Sequence, residues 1–165
     1  MKLKVLIPVM VLVLALGVGA GLFFSSRNKE EKKEESGYIP MAENVVLVGG
    51  GNVEPPPQDM INLKYNYQAF SKDGINFTGL LANDPGNEYD MFVDIFADAG
   101  ATDRIYLSGL LPPGTGLQSI ELNRALPVGT NTVYVAFNQV DFDENGEQAI
   151  VGQAVVTVEF IVTEE

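Results

Sequence analysis

The residues of this chain best suited to chemistry are the carboxylates of Asp141-Phe142-Asp143-Glu144-Asn145-Gly146-Glu147. The run opens D-x-D-x-N-G, a pattern in which oxygens at alternate positions converge on a hard cation while the glycine permits the tight turn. Asp141, Asp143 and Asn145 are the ligands it offers, and calcium is the ion it fits. An EF-hand needs a bidentate Glu at the twelfth position, which here is Gly152, and flanking helices, where this sequence has apolar β-type runs. Asn145-Gly146 between two such runs is a hairpin signal in its own right. A plain hairpin is the first reading of the segment, and a weak cation site the second.

Other chemistry is narrowed by composition. The chain has no histidine and no cysteine, which removes Ser-His-Asp and Cys-His nucleophilic systems, most zinc sites and any disulfide. Asp84, Asp90, Asp94, Asp98 and Asp103 form a second group of close carboxylates. A glycosidase needs two carboxyls set apart across a cleft, whereas regular placement along one strand face serves solubility and protection against edge pairing. No catalytic residue is expected, and no cofactor other than calcium at the 141–147 turn.

Charge excludes a further class of partner. Six of the ten basic residues (Lys2, Lys4, Arg27, Lys29, Lys32 and Lys33) lie near the N-terminus. From residue 60 onward only Lys64, Lys72, Arg104 and Arg124 face fifteen acidic residues. A nucleic acid or an anionic lipid surface requires a cationic patch that displaces counterions. This part of the chain, an anion itself, is expected to bind no nucleic acid.

The elements that carry these groups fall into three segments. Residues 5–24, VLIPVMVLVLALGVGAGLFF, run for twenty positions without a charge. At about 1.5 Å per residue that is roughly 30 Å, enough to cross the hydrocarbon core of a bilayer. Residues 1–24 therefore read as a signal anchor that remains as a transmembrane helix. The rival reading, a cleaved signal peptide with Gly19-Ala20-Gly21 as the peptidase site, stops short of the apolar Leu22, Phe23 and Phe24. The short basic N-terminal tail places the C-terminal domain outside the cytoplasm, on the cell membrane in single-pass topology, although basic residues flank the span on both sides. Gly17 and Gly21 have the GxxxG spacing that lets two helices approach as a homodimer.

Residues 25–59 read as a linker: a mixed charge run, SSRNKEEKKEES, then Gly49-Gly50-Gly51 and Pro55-Pro56-Pro57, which resist regular structure. Val45-Val46-Leu47-Val48 is its one run suited to an edge strand. From residue 60 to 165 apolar residues recur with period two. The runs NLKYNYQAFS, INFTGLLAN, YDMFVDIFAD, RIYLSG, LQSIELN, NTVYVAFNQV and QAIVGQAVVTVEFIVT predict about seven strands separated by turns, with Gly152 marking a bulge in the last. In the first, Leu63, Tyr65, Tyr67 and Ala69 share the buried face. In the third, Tyr89, Met91, Val93, Ile95 and Ala97 share a face, and Phe92 and Phe96 alternate with aspartates on the other, the phenylalanines lying against neighbouring side chains on an otherwise wetted sheet.

The Pro-Gly turn before LQSIEL, followed by ALPVGTNTVYVAF, resembles the strand-turn pattern of immunoglobulin-like β-sandwich domains of bacterial surface proteins. With its apolar N-terminus the chain is similar to small signal-anchored surface proteins of Gram-positive bacteria, of unassigned function. The resemblance covers residues 60–165 and is structural; the Cys pair and core Trp of antibody domains are absent. It implies an all-β, antiparallel immunoglobulin-like sandwich on the cell surface. The expected role is a structural or protein-binding module working with another envelope protein, the alternative being a cation or ligand sensor that uses the acidic turn. In a bacterial chain the Asn76-Phe77-Thr78 glycosylation pattern carries little weight.

Overall fold

A computed structural model describes residues 38–49, 55–56 and 60–164. The expected transmembrane helix over 5–24, the Gly17/Gly21 pair and most of the expected linker lie outside the described residues. What is described is all-β: one mixed sheet, curled so that its inner surface encloses the core.

Nine strands form it: β1 (Val46–Leu47), β2 (Leu63–Tyr65), β3 (Gln68–Ser71), β4 (Asn76–Asn83), β5 (Asp90–Phe96), β6 (Arg104–Leu107), β7 (Thr115–Glu121), β8 (Gly129–Phe142) and β9 (Gln148–Val162). Their order is β1-β7-β4-β3-β9-β8-β5-β6, with β2 also on β4. Two expectations are corrected. The strands number nine instead of about seven, and β3 runs parallel to β9, so the sheet is not wholly antiparallel.

The extra strands have local causes. NLKYNYQAFS divides because Asn66 inserts its side chain into the ladder. Leu80 N–H donates to Asn66 Oδ1 at 2.6 Å, and Asn66 N–H donates to Leu80 O at 2.9 Å. Both halves pair with β4, but their registers differ across this kink. Tyr67 is thereby turned out to 74% exposure, against the alternation that predicts it buried, while Ala69 keeps its inward position. The kink also swings β3 onto β9, from Gln68 beside Glu159 to Ser71 beside Val162.

In the long hairpin of β8 and β9, β9 alternates from Gly152 onward, whereas β8 is buried on both faces from Val135 to Val140. Val133, Val135 and Phe137 face inward and are fully buried, with Val158 across from Val133 and Val93 of β5 across from Phe137. Toward its turn the register shifts between Gln139 and Val140, opposite Gly152, as the glycine predicts. Phe77 of β4 and Phe160 of β9 meet with ring centroids 4.5 Å apart. That contact reaches across β3, which lies between the two strands, inside one core that also takes Leu81, Leu117, Ile120, Met91, Ile95 and Ile105. Burial of this kind contributes roughly 1.5–3 kcal/mol per large side chain before entropy is counted.

The folded unit begins well before residue 60. β1 pairs with β7, and the residues ahead of it form a strap across the outer face. Ile39 N–H donates to Gln148 Oε1 at 2.7 Å, and Gln148 Nε2 donates back to Ile39 O at 2.9 Å. Leu110 N–H then donates to Pro40 O, and Ala42 N–H to Leu110 O. Ile39 thus caps a second, small core of Phe92, Leu110 and Val140. Phe92 and Phe96 are both under one-tenth exposed, packed against neighbouring side chains as expected, and at Phe92 it is the strap that covers the face expected to be otherwise wetted.

Candidate functional site

The acidic turn predicted as a cation site is the connection between β8 and β9. Phe142 pairs with Gln148, Gly146 takes a φ of 79°, and Gly146 N–H donates to Asp143 O at 2.9 Å. Asp143 Oδ1 accepts the N–H groups of Asn145 and Glu147, each at 2.8 Å, and Asn145 Nδ2 lies 3.4 Å from Asp143 Oδ2. Asp141 Oδ1 accepts Phe142 N–H at 2.8 Å. Backbone donation from Glu147 and then Asn145 holds the Asp143 carboxyl below the ordinary range. The turn brings Asp143 and Asn145 together, but as a hydrogen-bonded pair within the hairpin. Among the described residues no three His, Cys, Asp or Glu side chains converge as a metal site would need.

The second carboxylate group disperses. Asp84 Oδ1 accepts Gly86 N–H. Asp98 collects the N–H groups of Gly100, Thr102 and Asp103, which holds its carboxyl low, while Asp103 pairs with Arg124. These are turn and loop fasteners. β5 lies between β8 and β6, so its aspartates guard no edge. Asn76 Nδ2, in the glycosylation pattern, donates to Asp73 Oδ2 at 2.7 Å.

Asp94 is the exception. Its side chain is 14% exposed on the outer face of β5, where Arg104 Nη1 of β6 approaches its Oδ1 at 3.4 Å. Asn138 Nδ2 of β8 lies 3.3 Å from its Oδ2, and Gln153 Nε2 of β9 donates to Asn138 Oδ1 at 2.6 Å. The four side chains make a polar line across four neighbouring strands. Burial pushes the Asp94 carboxyl up, and the Arg104 guanidinium pulls it part of the way back. Phe92 and Phe96 flank the line on β5, and the exposed Leu107 and Val155 lie at its two ends on β6 and β9.

Sequence reasoning placed Asp94 on the right face but missed its three companions. Asn138 offered a signal: a carboxamide inside the apolar run VYVAFNQV, 1% exposed once folded, needs partners wherever it is buried. A further polar cluster, Asn62, Asn83 and Asn87, is internally satisfied: Asn87 Nδ2 donates to Asn83 Oδ1, and Asn83 Nδ2 to the backbone of Tyr89 and Leu111. It fastens the β4–β5 connection. Comparison with protein-family models, with curated proteins and with solved structures finds no match for this chain.

Proposed function

We infer that this protein is a membrane-anchored, extracytoplasmic interaction module: an immunoglobulin-like sandwich that docks another envelope protein and performs no chemistry of its own. The strand order supports the sandwich reading. β1, β7 and β4 make one half, β9, β8, β5 and β6 the other, and β3 joins them by pairing with both β4 and β9. The apolar residues 5–24 support the anchor and the address.

The observation that carries the docking role is the outer face of β9-β8-β5-β6. Its centre at Phe92, Phe96, Ala136 and Asn138 is buried, and what it offers a partner is its margin: the half-exposed Arg104 with the exposed Leu107 and Val155, a mixture of charge and apolar surface that suits protein recognition. A photo-crosslinking residue at Leu107, in intact cells, is expected to capture a discrete envelope protein. The same residue at Val128, which is exposed but off this face, captures nothing comparable. Capture that survives Arg104→Glu unchanged overturns the assignment to this face. Because the chain contains no cysteine, Glu144→Cys reports topology directly. Labelling by a membrane-impermeant maleimide in intact cells is the expected result, and protection until lysis overturns the extracytoplasmic placement.

A further inference from the structure

The kink at Asn66 leaves two aromatic rings in water: Tyr67, turned out of the alternation, and Phe70, half exposed on the outer face of β3. Tyr67 is braced there. Its ring meets that of Tyr65 edge-on, with centroids 5.1 Å apart, and Tyr65 in turn leans on Phe137 of the main core at 5.8 Å. Both exposed rings line one open groove of about 560 Å³, whose other walls are Asn66, Gln68, Thr157 and Glu159. Across the β3–β9 pair Gln68 Nε2 donates to Glu159 Oε2 at 2.8 Å, which fixes a carboxamide beside a carboxylate. Gln68 Oε1, the second Glu159 oxygen and the Thr157 hydroxyl make no hydrogen bond to the described residues, which leaves them for a ligand.

We propose that this groove binds a neutral oligosaccharide. The C–H faces of sugar rings carry slight positive charge and are attracted to the negative faces of Tyr67 and Phe70. Sugar hydroxyls, each both donor and acceptor, bond to Gln68, Glu159 and Thr157. Charge selects against other ligands. The groove holds one carboxylate and no cation on a strongly acidic chain, so a nucleic acid or another polyanion is repelled. A basic peptide would find a single exposed carboxylate, worth little as an ion pair. A shallow groove suits a chain laid across the sheet, and hydroxyls continue on either side: exposed Thr78 lies beside Phe70 on β4, and exposed Thr132 beside Glu159 on β8. The site adjoins the protein-docking margin, since Thr157 follows Val155 on the same face of β9. It uses none of Arg104, Leu107 or Val155, and it does not depend on the docking reading.

Calorimetric titration of the full chain, in a detergent without a sugar head group, with cellohexaose, maltohexaose and chitohexaose tests this. At least one of the three is expected to bind; Tyr67→Ala weakens that binding about tenfold or more, and Tyr67→Phe leaves it close to native. Phe70→Ala is expected to weaken it as well. Both side chains are exposed, so an unchanged circular dichroism spectrum is the check on folding. No heat of binding with any of the three sugars overturns the proposal, as does an affinity that Tyr67→Ala and Phe70→Ala both leave unchanged. Tighter binding of dextran sulfate than of the neutral sugars overturns it too. So does loss of the Leu107 cross-link in Tyr67→Ala, which would assign the ring to the protein-docking face.

Discussion

Asp94 shows how one residue departs from the acidic surface around it. Asp73, Asp98 and Asp143 accept several hydrogen bonds in exposed turns, and their carboxyls are held low. Stability from a lowered carboxyl is present above the unfolded value, about pH 4, and is lost as pH falls toward the folded one. Asp73→Ala is therefore expected to lower the melting temperature at pH 7, with the gap to the native chain closing progressively below pH ~4. Asp94 has the opposite sign. Its folded pKa lies above the unfolded one, so its contribution is present below about pH 4 and is lost as pH rises through the folded value. Arg104→Gln removes the charge that offsets burial, and should move the Asp94 midpoint further upward in a carboxyl-carbon NMR titration. A midpoint that stays put or falls would mean that the guanidinium does not act on Asp94.

Among the elements, the strap of residues 38–42 depends on a single small residue. A Cβ on Gly109 would lie 2.5 Å from both the Cα and the N of Ala42, and backbone cannot yield as a side-chain tip can. Gly109→Ala is expected to displace the strap and uncover Phe92, Leu110 and Val140, at a cost of roughly 1–3 kcal/mol as for other overpacked sites. Urea denaturation measures the loss, and faster proteolysis between residues 38 and 48 locates it; native stability with native resistance would show that the strap does not hold this face. Little in the sequence announces this element, since Ile39-Pro40-Met41 is too short to display a period and sits between a charge run and a glycine run. The β8–β9 hairpin was legible for the converse reason: two long apolar runs meet around an Asn-Gly turn, and Gly152 marks the one place where their register shifts. The break at Asn66 was illegible because a carboxamide that replaces a backbone acceptor is a tertiary event, invisible in the pattern NLKYNYQAFS. The polar line through Asp94 was half legible. Its residues are ordinary strand alternation, and only the pairing of β9, β8, β5 and β6 brings them into one row.

For the molecule as a whole, a net charge of −12 sets the terms on which any cation acts. Self-repulsion destabilises a compact anion, and any added salt relieves it by screening. A rise in melting temperature with calcium is therefore no evidence of a site unless magnesium at matched ionic strength fails to reproduce it. The geometry of the 141–147 turn predicts that the two ions act alike, because Asp143 Oδ1 already accepts two backbone donors and would have to release them to a metal. A site of about 0.1 mM affinity, in about 1 mM calcium, would add about 1.4 kcal/mol by mass action. In a domain of this size that is several degrees, well within what a thermal melt resolves. Equal shifts in the two salts would assign the acidic turn to folding the hairpin. A calcium-specific excess that disappears in Asp141→Asn and in Asp143→Asn would instead require the turn to reopen around the ion, and would make calcium a determinant of how the β8–β9 hairpin ends.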